Sequence, residues 1–183
     1  MALVRSRVAG LVLIVAPLGS LASDLAPSED AGLLGFWARV LVLCAWLPAM
    51  QSLEHFLKRR SEIGSLALVG LATLGIVGRL LALVLRTTAA PGEYGGRLQL
   101  SAAWLASLFP LALLGCGLGF LRWRCAPPLS GFVLALGGLL ATWHALAPVR
   151  GLPLLANACM AFACGRIGLG LLRDPRAWEP SSL

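Results

Sequence analysis

Six apolar runs, each about as long as a bilayer is thick, leave this chain few ways to fold. They cover residues 8–22, 33–57, 65–85, 98–120, 129–148 and 152–172, and a helix needs roughly 20 predominantly apolar residues to cross the hydrocarbon core. Lipid offers no hydrogen bonds, so every backbone N–H and C=O in such a run must be satisfied inside its own segment, which a helix does. The connections "SDLAPSEDAG", "KRRSEIG", "TTAAPGEYGGR", "RWRCAPP" and "VRG" are short and hold the turn formers. The expected fold is all-α: a polytopic integral membrane protein with six transmembrane helices in a single domain over residues 1–183.

Composition agrees with that reading. Hydrophobic residues make up 58% of the chain and charged residues 13%, against about 45–50% and about 25% in soluble domains. The net charge of +7 would fit a nucleic-acid partner in a soluble protein, but no basic stripe interleaved with aromatics exists here, so none is expected. The basic residues sit between apolar runs, where they set orientation. Arg5, Arg7, Lys58, Arg59, Arg60, Arg122, Arg124, Arg173 and Arg176 fall on one side of the membrane; Arg86, Arg97 and Arg150 fall on the other. Basic residues resist translocation, so the richer side is cytoplasmic and both termini lie there, in the inner (plasma) membrane of the cell. The first run also resembles a secretory signal, with Arg5 and Arg7, an apolar stretch and "SLA" ending at Ala22. Cleavage there would leave five helices.

Three arginines, Arg39, Arg79 and Arg166, stand inside the runs. An arginine at mid-helix costs about 2.5–3.5 kcal/mol on insertion scales and usually has a partner. "GRLLALVLR" at 78–86 and "GRIGLGLLR" at 165–173 each place small residues on the arginine face, including Ala72, Gly75 and Ala82 in one and Cys159, Ala163 and Gly170 in the other. Small residues allow close helix approach, so both arginines are expected to point into the bundle. The two runs, with "LGSLASDLAPS" at 18–28 against "LGFLRWRCAPP" at 118–128, raise the expectation of a 3+3 inverted repeat, the plan of many small transporters. Gly115 and Gly119, at GxxxG spacing, mark a further expected helix contact.

Depth along the membrane normal decides which polar groups can meet. Arg39, Arg79, His144 and Asn157 share the outer third, with Asp24, Glu29 and Asp30 in the loop above them. Arg39, Arg79 and His144 are therefore the candidate site for an anion or a lipid headgroup. Glu54 and Arg166 share the inner third and are a candidate buried pair; the alternative is Glu54 with Lys58 one turn on. Pro17, Pro48 and Pro110 interrupt runs one, two and four, and kinks beside Arg39 and Arg79 can open a cavity.

Other chemistries lack their residues. Lys58 is the only lysine and lies in a loop, which excludes a buried Schiff base. His55 and His144 sit near opposite faces, so no haem pair and no metal site is expected, and no cofactor. The five cysteines lie in or beside apolar runs, without a CxxC, and neither HExxH nor GxSxG occurs. The function read from the sequence is a non-enzymatic transporter, or a lipid- or anion-handling protein, with an arginine-lined cavity. The alternatives are a structural or assembly subunit that packs with a membrane-protein partner or as a homo-oligomer, and, third, an intramembrane enzyme.

Overall fold

The computed structural model describes residues 2–25, 32–88, 93–147 and 149–174. They form six helices: α1 (Ala2–Leu25), α2 (Gly32–Lys58), α3 (Glu62–Thr88), α4 (Glu93–Trp123), α5 (Pro128–Leu146) and α6 (Leu152–Arg173). Each is long and apolar enough to cross a membrane, and the chain is a multi-pass membrane protein. Glu29, Asp30 and Arg176 lie outside the described residues.

Most helices run past the ends of their apolar runs, because intrahelical hydrogen bonds persist after hydropathy falls. α1 reaches Leu25 rather than residue 22, which carries Asp24 on helix. α5 is the exception and stops at Leu146: Ala147, the residue before Pro148, is extended (φ −136°, ψ 97°), as proline's clash with its predecessor requires. Capping chemistry sets the starts of α3 and α6. The Ser61 hydroxyl accepts a hydrogen bond from the Gly64 amide at 3.2 Å, an N-cap for α3. Gly151, at φ 83°, makes the left-handed turn into α6, which a side chain would disfavour.

Each helix packs on its neighbours in sequence, α1 closes the ring on α6, and α2 also touches α4. The start of α1 and the end of α6, with the α2–α3 and α4–α5 connections, therefore lie at one end of the bundle, here the terminal end. The opposite helix ends define the far end. Packing is uneven along the axis. The buried α2 residues Trp46, Ala49, Met50, Leu53 and Leu57 all lie towards the terminal end, where they meet Phe109, Leu113 and Phe120 of α4. α1 contributes Leu13 and Ala16 to this core. The far half of the ring holds an open cavity instead.

Glycines set how closely helices approach. A Cβ at Gly75 would strike the Phe109 backbone and one at Gly78 the Ala106 backbone, so α3 and α4 touch main chain to main chain. Gly10 and Gly168 do the same for α1 and α6, and Gly117 with Gly138 for α4 and α5. The expected Gly115/Gly119 contact differs: both face flexible side chains, Leu68 and Leu57. In the register that pairs the two arginine runs, Gly78 is pressed against α4 while its counterpart Gly165 meets open space. The packing of the two runs is thus unequal at this pair, and it does not confirm the inverted repeat.

Candidate functional site

The far cavity has a volume of about 600 Å³ and is lined from all six helices. Arg39 from α2, Arg79 from α3, His144 from α5 and Asn157 from α6 all face it, so the polar residues that share a depth in the sequence also share a space. Arg86, two turns beyond Arg79, stands at its rim, and Ser20, Ser23 and Ser107 add hydroxyls. Among the described residues, three guanidinium groups thus line the cavity against one carboxylate, Asp24. Alanines from α3, α4 and α5 form much of the remaining wall.

The floor fixes Arg79. Its guanidinium carbon lies 4.7 Å from the centroid of the Phe109 ring, a cation–π contact worth about 0.5–2 kcal/mol. Phe109 in turn meets Trp46 edge to face at 5.0 Å, and the Trp46 indole N–H donates to Ser20 Oγ at 2.8 Å. Trp46 is fully buried and its N–H is satisfied, so the plug beneath the arginine is rigid. Hydropathy assigned this tryptophan no role, because a buried indole at mid-helix leaves no depth signal.

The rim fixes the carboxylate. Asn157 Nδ2 donates to Asp24 Oδ2 at 2.6 Å, tying α1 to α6, and the Asp24 charge acts on Arg79 through space. The extension of α1 past residue 22 is what brings Asp24 here, and a span drawn from hydropathy alone ends too early to include it. On α5, the Val149 amide donates to His144 Nδ1 at 3.3 Å, so in the neutral ring the proton sits on Nε2. On α4, Pro110 lines the cavity beside Ala106. Proline carries no N–H, so the Ala106 carbonyl lacks the i+4 donor that a regular helix would supply.

The structure does not bring Glu54 and Arg166 together. Arg166 is exposed on the outward side of α6, in a shallow groove with Ile14, Leu18 and Phe162, whereas Glu54 is half-buried on α2. α6 packs through Ala156, Met160, Ala163, Cys164, Ile167 and Leu171, and Arg166 lies off that stripe. Nor does Glu54 take Lys58, whose ammonium is 3.8 Å from Glu62. Breaking a buried pair costs about 3–5 kcal/mol, so with the groups apart Glu54→Gln and Arg166→Gln should each change detergent stability by about 0.5 kcal/mol or less. Thermal unfolding of the two variants checks this.

No group of three or more His, Cys, Asp or Glu able to hold a metal occurs among the described residues. Compared with models of protein families, with curated proteins and with solved structures, the chain finds no match.

Proposed function

We propose that this protein holds an anionic group, a lipid phosphate or a small anion, in its far cavity, as a non-enzymatic transport or lipid-handling protein of the inner (plasma) membrane. The observation that carries the reading is the convergence of Arg39, Arg79 and Arg86 on one open cavity that, among the described residues, holds a single carboxylate. Guanidinium forks match phosphate oxygens in a bidentate geometry. The Trp46–Phe109 plug closes the cavity towards the terminal end, so passage of a solute needs a second arrangement of the helices.

The test is a stability titration of the purified full chain. Inorganic phosphate and dihexanoyl phosphatidylglycerol are compared with dihexanoyl phosphatidylcholine at matched ionic strength. A ligand that binds the folded state adds about 2.7 kcal/mol at a hundred times its Kd, so a rise in Tm with either anionic probe but not the zwitterionic one supports the reading. No rise with either anionic probe overturns it.

Orientation belongs to the same proposal. The excess of basic residues at the terminal end supports a cytoplasmic location for it, because basic residues resist translocation. Cys125, in the α4–α5 connection, should then react with an impermeant maleimide only after the membrane is opened. A cysteine at Thr88, at the far end, should react in intact cells. The reverse pattern would invert the topology.

One observation favours a second reading, a subunit of a larger membrane complex. Arg166 is exposed on the outward side of α6, and Gly165 and Gly170 there meet no neighbouring atom within 4 Å. Native mass spectrometry separates the two readings: a single chain with retained lipid fits the cavity reading, and a defined assembly fits the subunit.

A further inference from the structure

The α3–α4 seam changes character along its length. At Gly75 and Gly78 the two helices meet main chain to main chain, but nearer the far end a second hollow of about 350 Å³ forms between them. Ala82 and Arg86 of α3 line it with Gly96, Gln99, Leu100 and Ala103 of α4. Ala82, Arg86 and Ala103 also line the far cavity. The two spaces therefore adjoin, with two methyl groups and the Arg86 side chain at their boundary.

Two other seams near this depth are closed by side chains. Val42 of α2 fills the space beside Gly19 of α1, where an added Cβ would lie 2.8 Å from it, and the 2.6 Å hydrogen bond from Asn157 to Asp24 spans α6 and α1. The outer flank of the α3–α4 hollow is apolar. Leu100 lines the hollow, Trp104 follows one turn deeper and Leu111 about two turns beyond, all exposed on one face of α4. On a membrane-spanning helix such a face meets lipid chains.

Arg86 thus stands between a polar cavity and an apolar flank. A free anion reaches the cavity from water and gains nothing from the flank, whereas a phospholipid offers a charged phosphate for guanidinium forks and acyl chains for an apolar face in one molecule. We propose that the far cavity takes an anionic phospholipid from the leaflet at the far end, lying across the α3–α4 seam. Its phosphate is held by the cavity arginines, with Arg86 at the threshold, and its acyl chains run outside along Leu100 and Trp104. The proposal rests on the anion-binding reading of the cavity and adds the source of the anion and the side from which it enters.

Ala103 is the place to test it, because its side chain borders both spaces and is exposed. A larger residue there obstructs the crossing and leaves the arginines in place. Tm of the purified full chain is titrated with dihexanoyl phosphatidylglycerol and with inorganic phosphate for the parent, Ala103→Leu and Ala103→Ser. The lipid should raise Tm in the parent and in Ala103→Ser. In Ala103→Leu the apparent lipid affinity should be weaker by about tenfold or more, with any phosphate shift unchanged. An equal lipid shift in all three proteins overturns the crossing and leaves the cavity reading standing. So does a shift with phosphate but none with the lipid, which identifies a free ion. No shift with either probe removes the cavity reading and the proposal together. A second measurement does not depend on a variant at position 103. In nanodiscs, phosphatidylglycerol with a photoreactive diazirine in one acyl chain should label the segment from Leu100 to Trp104 in excess of Trp143, which is exposed on α5. Arg86→Gln should remove that excess and leave the label on Trp143 unchanged. Equal labelling of the two helices in the parent, or an excess that survives Arg86→Gln, overturns the proposal.

Discussion

Arg79→Gln will abolish the anion-induced rise in Tm and leave the ligand-free protein as stable as the parent or more so. The two effects separate because Arg79 serves the cavity and not the core. An arginine at this depth carries an insertion cost of about 2.5–3.5 kcal/mol, and its contact with the Phe109 ring at 4.7 Å offsets only part of it, about 0.5–2 kcal/mol. Glutamine removes the cost and the charge together. Loss of a charged hydrogen-bonding partner weakens anion binding roughly tenfold to a hundredfold. Arg79→Lys should fall between, since it keeps the charge and loses the fork. Tm with and without inorganic phosphate, measured on all three proteins, decides the matter. A large fall in ligand-free stability with Arg79→Gln would mean that the arginine is structural, and an unchanged phosphate shift would remove it from the site.

Gly75→Ala will destabilise the protein, whereas Gly70→Ala, five residues away on the same helix, will not. A Cβ at Gly75 strikes the Phe109 backbone, which cannot rotate aside as a side chain can, so α3 and α4 must separate. Overpacking of this kind costs about 1–3 kcal/mol. Gly70 meets nothing within 4 Å, so alanine there adds only helix propensity, about 0.8–1.0 kcal/mol in the stabilising direction. The same methyl group thus has opposite signs at the two positions. Separation of α3 from α4 also draws Arg79 away from Phe109, so Gly75→Ala should weaken phosphate binding as well as stability. Thermal unfolding of both variants, with and without phosphate, tests each part. Equal Tm values for Gly75→Ala and the parent would show that the helices do not meet as described.

The sequence by itself determined the number of helices, their approximate spans and the depth of each polar residue. A bilayer is a solvent that varies along one axis, and hydropathy reports position along that axis. Arg39, Arg79, His144 and Asn157 were therefore legible as one layer, and they do line one cavity. Rotation about the helix axis was not legible, because every face of a spanning helix is largely apolar and lipid repels none of them. "GRLLALVLR" and "GRIGLGLLR" have nearly the same local pattern, yet Arg79 faces the cavity and Arg166 faces outward. Packing decided that difference. The main-chain contacts of Gly75 and Gly78 with α4 turn Arg79 inward, while the stripe from Ala156 to Leu171 that seats α6 on its neighbours leaves Arg166 outside. Asp24 and Trp46 joined the site for the same kind of reason: one is carried in by a helix that outlasts its apolar run, the other is held by a hydrogen bond to Ser20, 26 residues away. Where lipid sets depth, only contact between helices sets direction.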